Sequence, residues 1–396
     1  MNATSAGQAT GGADPATRPL AGVRVVEVGQ ALAGPLAGVI MANLGADVIK
    51  VEKPDGGDDA RAWGPPFHGD TSLYFHGQNR DKRSVTLDIK DPGDVELLHR
   101  LCEDADILIQ NLRPGVVEDL GIGPEAMLAR HPRLVYCSIW AFGYQGPMRM
   151  KPGFDPLLQA FGAMMSLTGR PDDPPTFCGA SINDKATGLF TVVGALAALR
   201  HRDRTGQGSI VDTSLLEIAS FWVEGQINGY LADGVVPKRH GTAAAVITPY
   251  QSFETADRPM VIAAANNRHF ARLAEVMGHA EWAADPRFDT PRHRVQNRPA
   301  LIALMRPVLL TRPRAEWIDA LERVGVPSAP VNDVAELVAS EQFKAVEIVE
   351  TLPDNGLKVI GVPLSFNRQR PLSKRGAPSL GEHNEELLGR PAPKAG

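Results

Sequence analysis

The chain has 396 residues, about two and a half times a typical domain of about 150, so two domains or one large domain with an insertion are expected and a single small fold is excluded. With 43% hydrophobic and 22% charged residues it is neither disordered nor fibrous. A formal charge of -5, from 41 Lys and Arg against 46 Asp and Glu, gives no reason to expect a nucleic-acid or anionic-membrane partner, so any anion site must be local.

Residues 1–18 are rich in Ala, Gly and Thr, lack the apolar core of a signal peptide, and are expected to form a disordered tail. A β-branched run at 23–28 predicts a strand. Gly34 and Pro35 then signal a helix start, with Leu36, Val39, Ile40 and Leu44 at helical spacing. The uncharged stretch 28–46 is too polar and too broken by Gly and Pro to span a membrane. Further strands are expected at 47–51, 85–89, 106–109, 134–139 and 209–213, alternating with helices at 92–103, 124–130 and 185–201. Such alternation predicts an α/β protein with a parallel sheet. After about residue 225 the texture changes: Gly234, Pro237 and Pro249 punctuate short strands at 250–253 and 260–263, followed by helices at 267–278, 298–311, 314–324 and 333–339 and a strand at 359–362. The expected division is a large domain over 19–225 and 328–396, and a smaller α+β domain over 226–327.

Cys102, Cys137 and Cys178 are odd in number and widely spaced, which argues against a disulfide framework or zinc site and for a reducing, cytoplasmic setting. His68, His76 and His240 lack metal-ligand spacing, so no metal is expected. Gly29-x-Ala31-x-x-Gly34 between strand and helix, with Glu52 ending the next strand, imitates a dinucleotide fingerprint. Ala31 stands where close approach to a pyrophosphate needs glycine, so a tight strand-to-helix turn is the competing reading. Asp184 follows the Gly- and Pro-rich stretch 169–175 at the mouth of the long apolar helix, where unpaired backbone N–H groups favour negative charge. It reads either as an ordinary N-cap or as a reactive carboxylate.

Several segments in order carry a resemblance: Ala33-Gly34-Pro35, Leu44-Gly45-Ala46-Asp47-Val48-Ile49-Lys50-Val51-Glu52, Gly57-Asp58 with Arg61, Asn79-Arg80-Asp81-Lys82-Arg83-Ser84, Asn111 with Pro114-Gly115, the Asp184 segment, Gly206-x-Gly208 with Val211-Asp212, and Gly381-Glu382-His383. Over essentially the whole chain after residue 18 the sequence resembles the family III CoA-transferases, whose relatives include the 2-methylacyl-CoA racemases. The stretch 57–67 and Thr248-Pro249-Tyr250-Gln251 look most like the dicarboxylate-handling members.

The resemblance implies a large Rossmann-like CoA-binding domain, a smaller domain, and an interlocked homodimer. It further implies transfer of CoA from an acyl-CoA, succinyl-CoA-like, to a free carboxylic acid, expected to be a dicarboxylate, through aspartyl anhydride and aspartyl-CoA thioester intermediates, with a CoA thioester as substrate and no permanently bound cofactor. Asp184 matches the family's nucleophile, and Ala33, Lys53, Leu87, Lys90, Asn111 and Phe154 match its CoA contacts. A glycine run found in formyl-CoA relatives is here Ala263-Ala264-Ala265-Asn266-Asn267, which leaves Asn266 and Asn267 as candidate substrate-binding donors. Where the racemases place a His, this sequence has Phe154, which removes one of the two bases of a racemase or epimerase. That activity and a non-catalytic nucleotide-binding module are the alternatives. Arg61, in a Gly/Asp/Pro/Trp-rich loop, is a candidate for holding the second carboxylate of a dicarboxylate, against a CoA phosphate contact or an ion pair with Asp58 or Asp59.

Overall fold

The computed structural model describes residues 17–391. The tail expected over 1–18 lies outside that range except for Thr17 and Arg18, and Arg18 Nη2 donates to the Leu372 carbonyl (3.1 Å). Two compact units divide the chain: one runs to residue 163 and takes in 178–227 and the stretch from 347 onward, and the other holds 164–177 and 228–346.

In chain order the first unit contains β1 (Arg24–Val28), α1 (Ala33–Asn43), β2 (Asp47–Glu52), the small hairpin β3 (Phe67–His68) and β4 (Thr71–Ser72), α2 (Leu73–Asn79), β5 (Arg83–Thr86), α3 (Pro92–Glu103), β6 (Ile107–Gln110), α4 (Val116–Asp119), α5 (Pro124–Arg130), β7 (Val135–Trp140) and α6 (Asp155–Phe161). After the short α7 (Met164–Leu167) of the other unit it continues with α8 (Ile182–Thr205), β8 (Ser209–Ser214) and α9 (Leu215–Trp222). The six long strands pair in the order β5-β2-β1-β6-β7-β8, every pair parallel. Counted along the chain this is the 3-2-1-4-5-6 order of a Rossmann sheet.

Helices cover both faces, which is why the strands read as continuous Val/Ile runs and not as alternating ones. Val25 packs with Ile40, Met41 and Val192 from α1 and α8, while its neighbour Val26 packs with Leu98 and Met127 from α3 and α5. Glycine at 208 is required by packing: a Cβ there would lie 1.9 Å from the Leu134 carbonyl oxygen.

Two boundaries differ from expectation. β5 occupies Arg83–Thr86, paired with Ile49–Glu52, and not 85–89. The chain leaves the sheet early because the Asp88 N–H is taken by Asp94 Oδ2 (2.7 Å), which turns it toward α3. α8 begins at Ile182, three residues before the expected start, and runs on to Thr205. Helices α2, α6 and α9 were not expected.

The second unit is built on an antiparallel sheet of β9 (Tyr250–Phe253), β10 (Met260–Ala263) and β11 (Ser328–Pro330), in the order β11-β10-β9. Its core is Phe253, Ile262, Phe270, Leu301, Met305 and Trp317. Because Ser328 pairs with Ile262, residues 328–346 go with this unit and not with the large sheet. Buried Arg294 ties its loops together, donating to Thr248 O (3.1 Å), Phe288 O (2.8 Å) and Asn267 Oδ1 (2.9 Å). Among the described residues no helix is long and apolar enough to cross a membrane.

Candidate active site

In a sheet of this order, strands run in opposite directions of sequence on the two sides of β1 and β6, and a crevice opens beyond their carboxyl ends. Its walls are the loops after those strands. They are joined by a reciprocal pair of bonds: the Gln30 N–H donates to Asn111 Oδ1 (3.0 Å), and Asn111 Nδ2 donates to the Gln30 carbonyl (2.8 Å). The fingerprint-like glycines serve the turn itself. A Cβ on Gly29 would meet Gly34 Cα at 3.3 Å, and Ala31 takes a left-handed φ of 68°. Asp58 Oδ1 accepts the Ala31 N–H (3.0 Å) and holds that conformation.

A cavity of about 300 Å³ occupies the crevice, and Asp184, Ala33, Asn111 and Phe154 all line it. A second, of about 270 Å³, is lined by Lys53, Leu87 and Lys90, and Gln30 and Leu112 belong to both walls. Asp184 and the six residues matched to CoA contacts therefore fall at two adjoining hollows. Lys53 is paired with Asp59 (2.6 Å) at the surface, Leu87 is buried, and Lys90 is exposed. Arg113, Arg149 and Lys151 add positive charge to the first cavity, and none of them is paired with a carboxylate among the described residues.

Asp184 is not an N-cap. It lies in the first turn of α8, whose N-cap, Ser181, makes no side-chain capping bond. The free N–H groups of Asn183 and Asp184 instead donate to Oδ2 of Asp155, at 2.7 and 3.0 Å. Asp155 is buried at the start of α6, and its Oδ1 accepts from Gln159 Nε2 (2.5 Å). With those donors taken, the half-buried Asp184 carboxyl keeps its proton unusually well: burial first, then the Asp155 charge, push it up to about 7. Tyr74 of α2 stands nearby; burial and the Asp184 charge push its phenol up, against a hydrogen bond to Ser181. Asp155 and Tyr74 were missed in the sequence. Asp155-Pro156 is a helix-start signal, but nothing local says that it caps a different helix.

Arg61 holds one of the chain's own carboxylates. Its Nε and Nη2 donate to Glu52 Oε2 (2.8 Å) and Oε1 (2.7 Å), Nη2 also reaches the Pro378 carbonyl (3.1 Å), and the guanidinium lies over the Phe75 ring. It lines neither hollow, so the fork meant for an acceptor acid is engaged by a residue that was not among its expected partners. Arg61→Met is expected to leave the ratio of KM values for a dicarboxylate and a matched monocarboxylate unchanged while lowering stability by about 3 kcal/mol, because buried Glu52 then loses its only directly bonded cation and keeps only the Ser84 hydroxyl, the Asp58 N–H and the more distant Lys50 charge; steady-state kinetics beside urea melts check both. Asn266 caps the helix at Asn267–Val276 through His269 N–H (2.8 Å), and Asn267 accepts from Arg294, so both amide oxygens are used and both NH₂ groups are left to donate. Both lie in the second unit. Among the described residues no group of three or more His, Cys, Asp or Glu is arranged to hold a metal ion.

A switch-point crevice with a carboxyl poised near neutrality and unpaired cations around it marks an α/β enzyme that acts on an anionic ligand. Comparison with known proteins makes that class specific. The model for CoA-transferase family III matches residues 20–384, and the chain belongs to that family; it is a CoA-transferase. It is 36% identical to the succinate–glutarate CoA-transferase of Agrobacterium fabrum over 379 residues, covering 93% of this chain and 95% of that one. It is also 36% identical over 371 residues to the acetyl-CoA:oxalate CoA-transferase of Acetobacter aceti, with 93% and 95% covered. Among solved structures, a CAIB/BAIF family protein from Brucella suis superimposes with a TM-score of 0.84 at 38% identity, covering 94% of this chain and 99% of that one.

Proposed function

We propose that this CoA-transferase moves CoA from a succinyl-type acyl-CoA to a free dicarboxylic acid, with Asp184 as the covalent nucleophile. The observation that carries the reading is the Asp184 carboxyl itself, half-buried in the wall of the crevice and raised to about 7. Ionised Asp184 attacks the thioester carbonyl, forming a mixed anhydride and releasing CoA thiolate. The thiolate attacks the aspartyl carbonyl, giving an aspartyl-CoA thioester and the donor's free carboxylate. The acceptor carboxylate attacks that thioester to form a second anhydride and thiolate. Attack of the thiolate on the acceptor's acyl carbon yields the new acyl-CoA and regenerates Asp184.

CoA enters as a substrate. Its nucleotide is assigned to the hollow at Leu87, with Lys53 and Lys90 for phosphate, and its pantetheine to the path past Ala33 and Asn111 toward Asp184, with Phe154 lining the same cavity. A dicarboxylate acceptor is supported by the relatives named for glutarate and oxalate, and by the unpaired Arg113, Arg149 and Lys151, which supply charge for a second carboxylate. Asn266 and Asn267 are the proposed donors of the second unit. Epimerisation is disfavoured because residue 154 is Phe and Asp155 already accepts three hydrogen bonds.

Purified protein incubated with succinyl-CoA and a panel of mono- and dicarboxylic acids is expected to give new CoA esters by mass, with dicarboxylates preferred. Hydroxylamine added during turnover should mark the peptide holding Asp184. Exchange of α-hydrogen for solvent deuterium without any new ester would reverse the reading in favour of an epimerase.

An interlocked homodimer is part of the same proposal. Leu189, Phe190, Val193 and Leu196 of α8 and Phe221 and Trp222 of α9 are 37–60% exposed, a broad apolar surface that self-association covers. The dimer is expected to persist at nanomolar concentration in sedimentation, and a folded monomer there refutes interlocking. Three free cysteines support the cytoplasm as its setting.

A further inference from the structure

α8 is a 24-residue helix whose N-terminus is left uncapped by its own flanking sequence. The first-turn N–H groups of such a helix are the natural stabilisers of a carboxylate placed there. Here they do not serve Asp184. Both the Asn183 and the Asp184 N–H donate to the single oxygen Oδ2 of Asp155, a residue on another helix and 29 positions away in sequence from Asp184. Asp155 is in turn fixed by Gln159, which itself accepts the Cys178 N–H (2.8 Å) and donates to the Cys178 carbonyl (3.3 Å). A closed circuit thus runs from Cys178 through Gln159 and Asp155 to the peptide of Asp184.

We propose that Asp155 is a positioning residue for the Asp184 nucleophile: its carboxylate fixes the first turn of α8 and, by its charge, drives Asp184 from the free carboxylate toward the acylated forms. The inference rests on the nucleophile reading above. Three donors converge on Asp155, the pattern of an ionised acceptor. Two carboxylates side by side repel, and the repulsion ends when Asp184 becomes an anhydride or a thioester, both neutral at that carbonyl. Asp155 therefore raises the free-enzyme ground state relative to each covalent intermediate, and leaves the ionised Asp184 a stronger nucleophile than a helix-stabilised carboxylate would be. The other titratable groups around it are Tyr74 from α2, which feels the Asp184 charge, and Asp59, Arg113, Arg149 and Lys151, which line the same cavity. Asp155 alone is bonded to its peptide and alone adds a like charge that raises it.

Asp155→Asn tests this in the full-length protein, because Asn keeps an oxygen for the helix N–H groups and removes the charge. The acid limb of the kcat profile, expected at about pH 7 in the parent, should move down by about a unit or more. At pH 5.5 that gives the variant roughly tenfold more activity relative to its own plateau than the parent has. The fraction of enzyme carrying CoA as the aspartyl thioester, read by intact mass with acyl-CoA alone, should fall severalfold. Asp155→Glu keeps the charge and is expected to keep the limb near the parent's. A merely structural Asp155 would lower kcat in both variants with the limb unmoved and the covalent fraction unchanged, and that result overturns the proposal. Failure of the underlying reading looks different: Asp184→Asn would itself remain active.

Discussion

Asp184→Asn is expected to lower kcat for CoA transfer by roughly 10³-fold or more while acyl-CoA still binds, because the substitution keeps the shape and removes the carboxylate proposed to form the covalent bond. The same variant should be more stable than the parent at pH 8. The folded chain holds the Asp184 proton up to about 7, whereas an unfolded chain releases it near 3.8, so between those values the native state binds more protons than the unfolded one. Stability from this group is thus lost as pH rises through that window, and above it the full penalty of the buried charge remains. Asn carries no such penalty. The gain in melting temperature should be present at pH 8, shrink as pH falls, and vanish near pH 4. Retained transfer activity sinks the nucleophile reading, and a melting gain that is equal at both pH values sinks the electrostatic account of the raised carboxyl.

What the sequence made legible follows the range of the interactions concerned. Strands such as 23–28 and 134–139 declared themselves through β-branched runs, because a parallel sheet covered on both faces demands apolar residues at every position. Asp184 stood out by its local setting, a carboxylate between a Gly/Pro-rich stretch and a long helix. Its partner did not, since Asp155 caps α8 across 29 residues and no local pattern links the two. Arg61 and Glu52 show the same limit: nine positions apart, they meet only because the loop after β2 folds back over its strand end. Of the CoA contacts taken from resemblance, Lys53 and Lys90 look like any surface lysine in the sequence, and it is the shared crevice wall of Gln30 and Leu112 that brings their hollow beside that of Asp184.

Lys50→Met is expected to be among the most destabilising single changes in the first unit, at about 3–5 kcal/mol. Lys50 is fully buried between two carboxylates, Glu27 (3.0 Å) and Asp58 (2.9 Å), and also donates to the Gly29 carbonyl (2.7 Å). Burial works against its charge, yet Glu27, Asp58 and Glu52 outweigh burial and hold the ammonium well above its ordinary range. A second buried lysine, Lys82, shares Glu27 (2.7 Å) and bonds the Pro35 carbonyl (2.9 Å). Gly38 leaves the room for this cluster, since a Cβ there would fall 1.8 Å from Glu27 Oε2. The two lysines are not equivalent: burial, and the Lys50 charge against the pull of Glu27, bring Lys82 down to about 8. At neutral pH Lys50 is therefore the firmly held cation, and its removal leaves Asp58 with no cation at Oδ2 and Glu27 with a weaker one. Lys82→Met, with Glu27 still paired to Lys50, should cost clearly less. The functional consequence follows from geometry, because Lys50 holds Gly29 and Asp58, which line the second hollow, and Asp58 holds Ala31, which lines the cavity of Asp184. Any Lys50→Met protein that folds should show a raised KM for acyl-CoA, since the wall proposed to guide the thioester has lost two of its anchors. Urea melts placing Lys50→Met within about 1 kcal/mol of the parent, or a cost for Lys82→Met equal to that for Lys50→Met, would show that the shared carboxylates do not need Lys50 in particular.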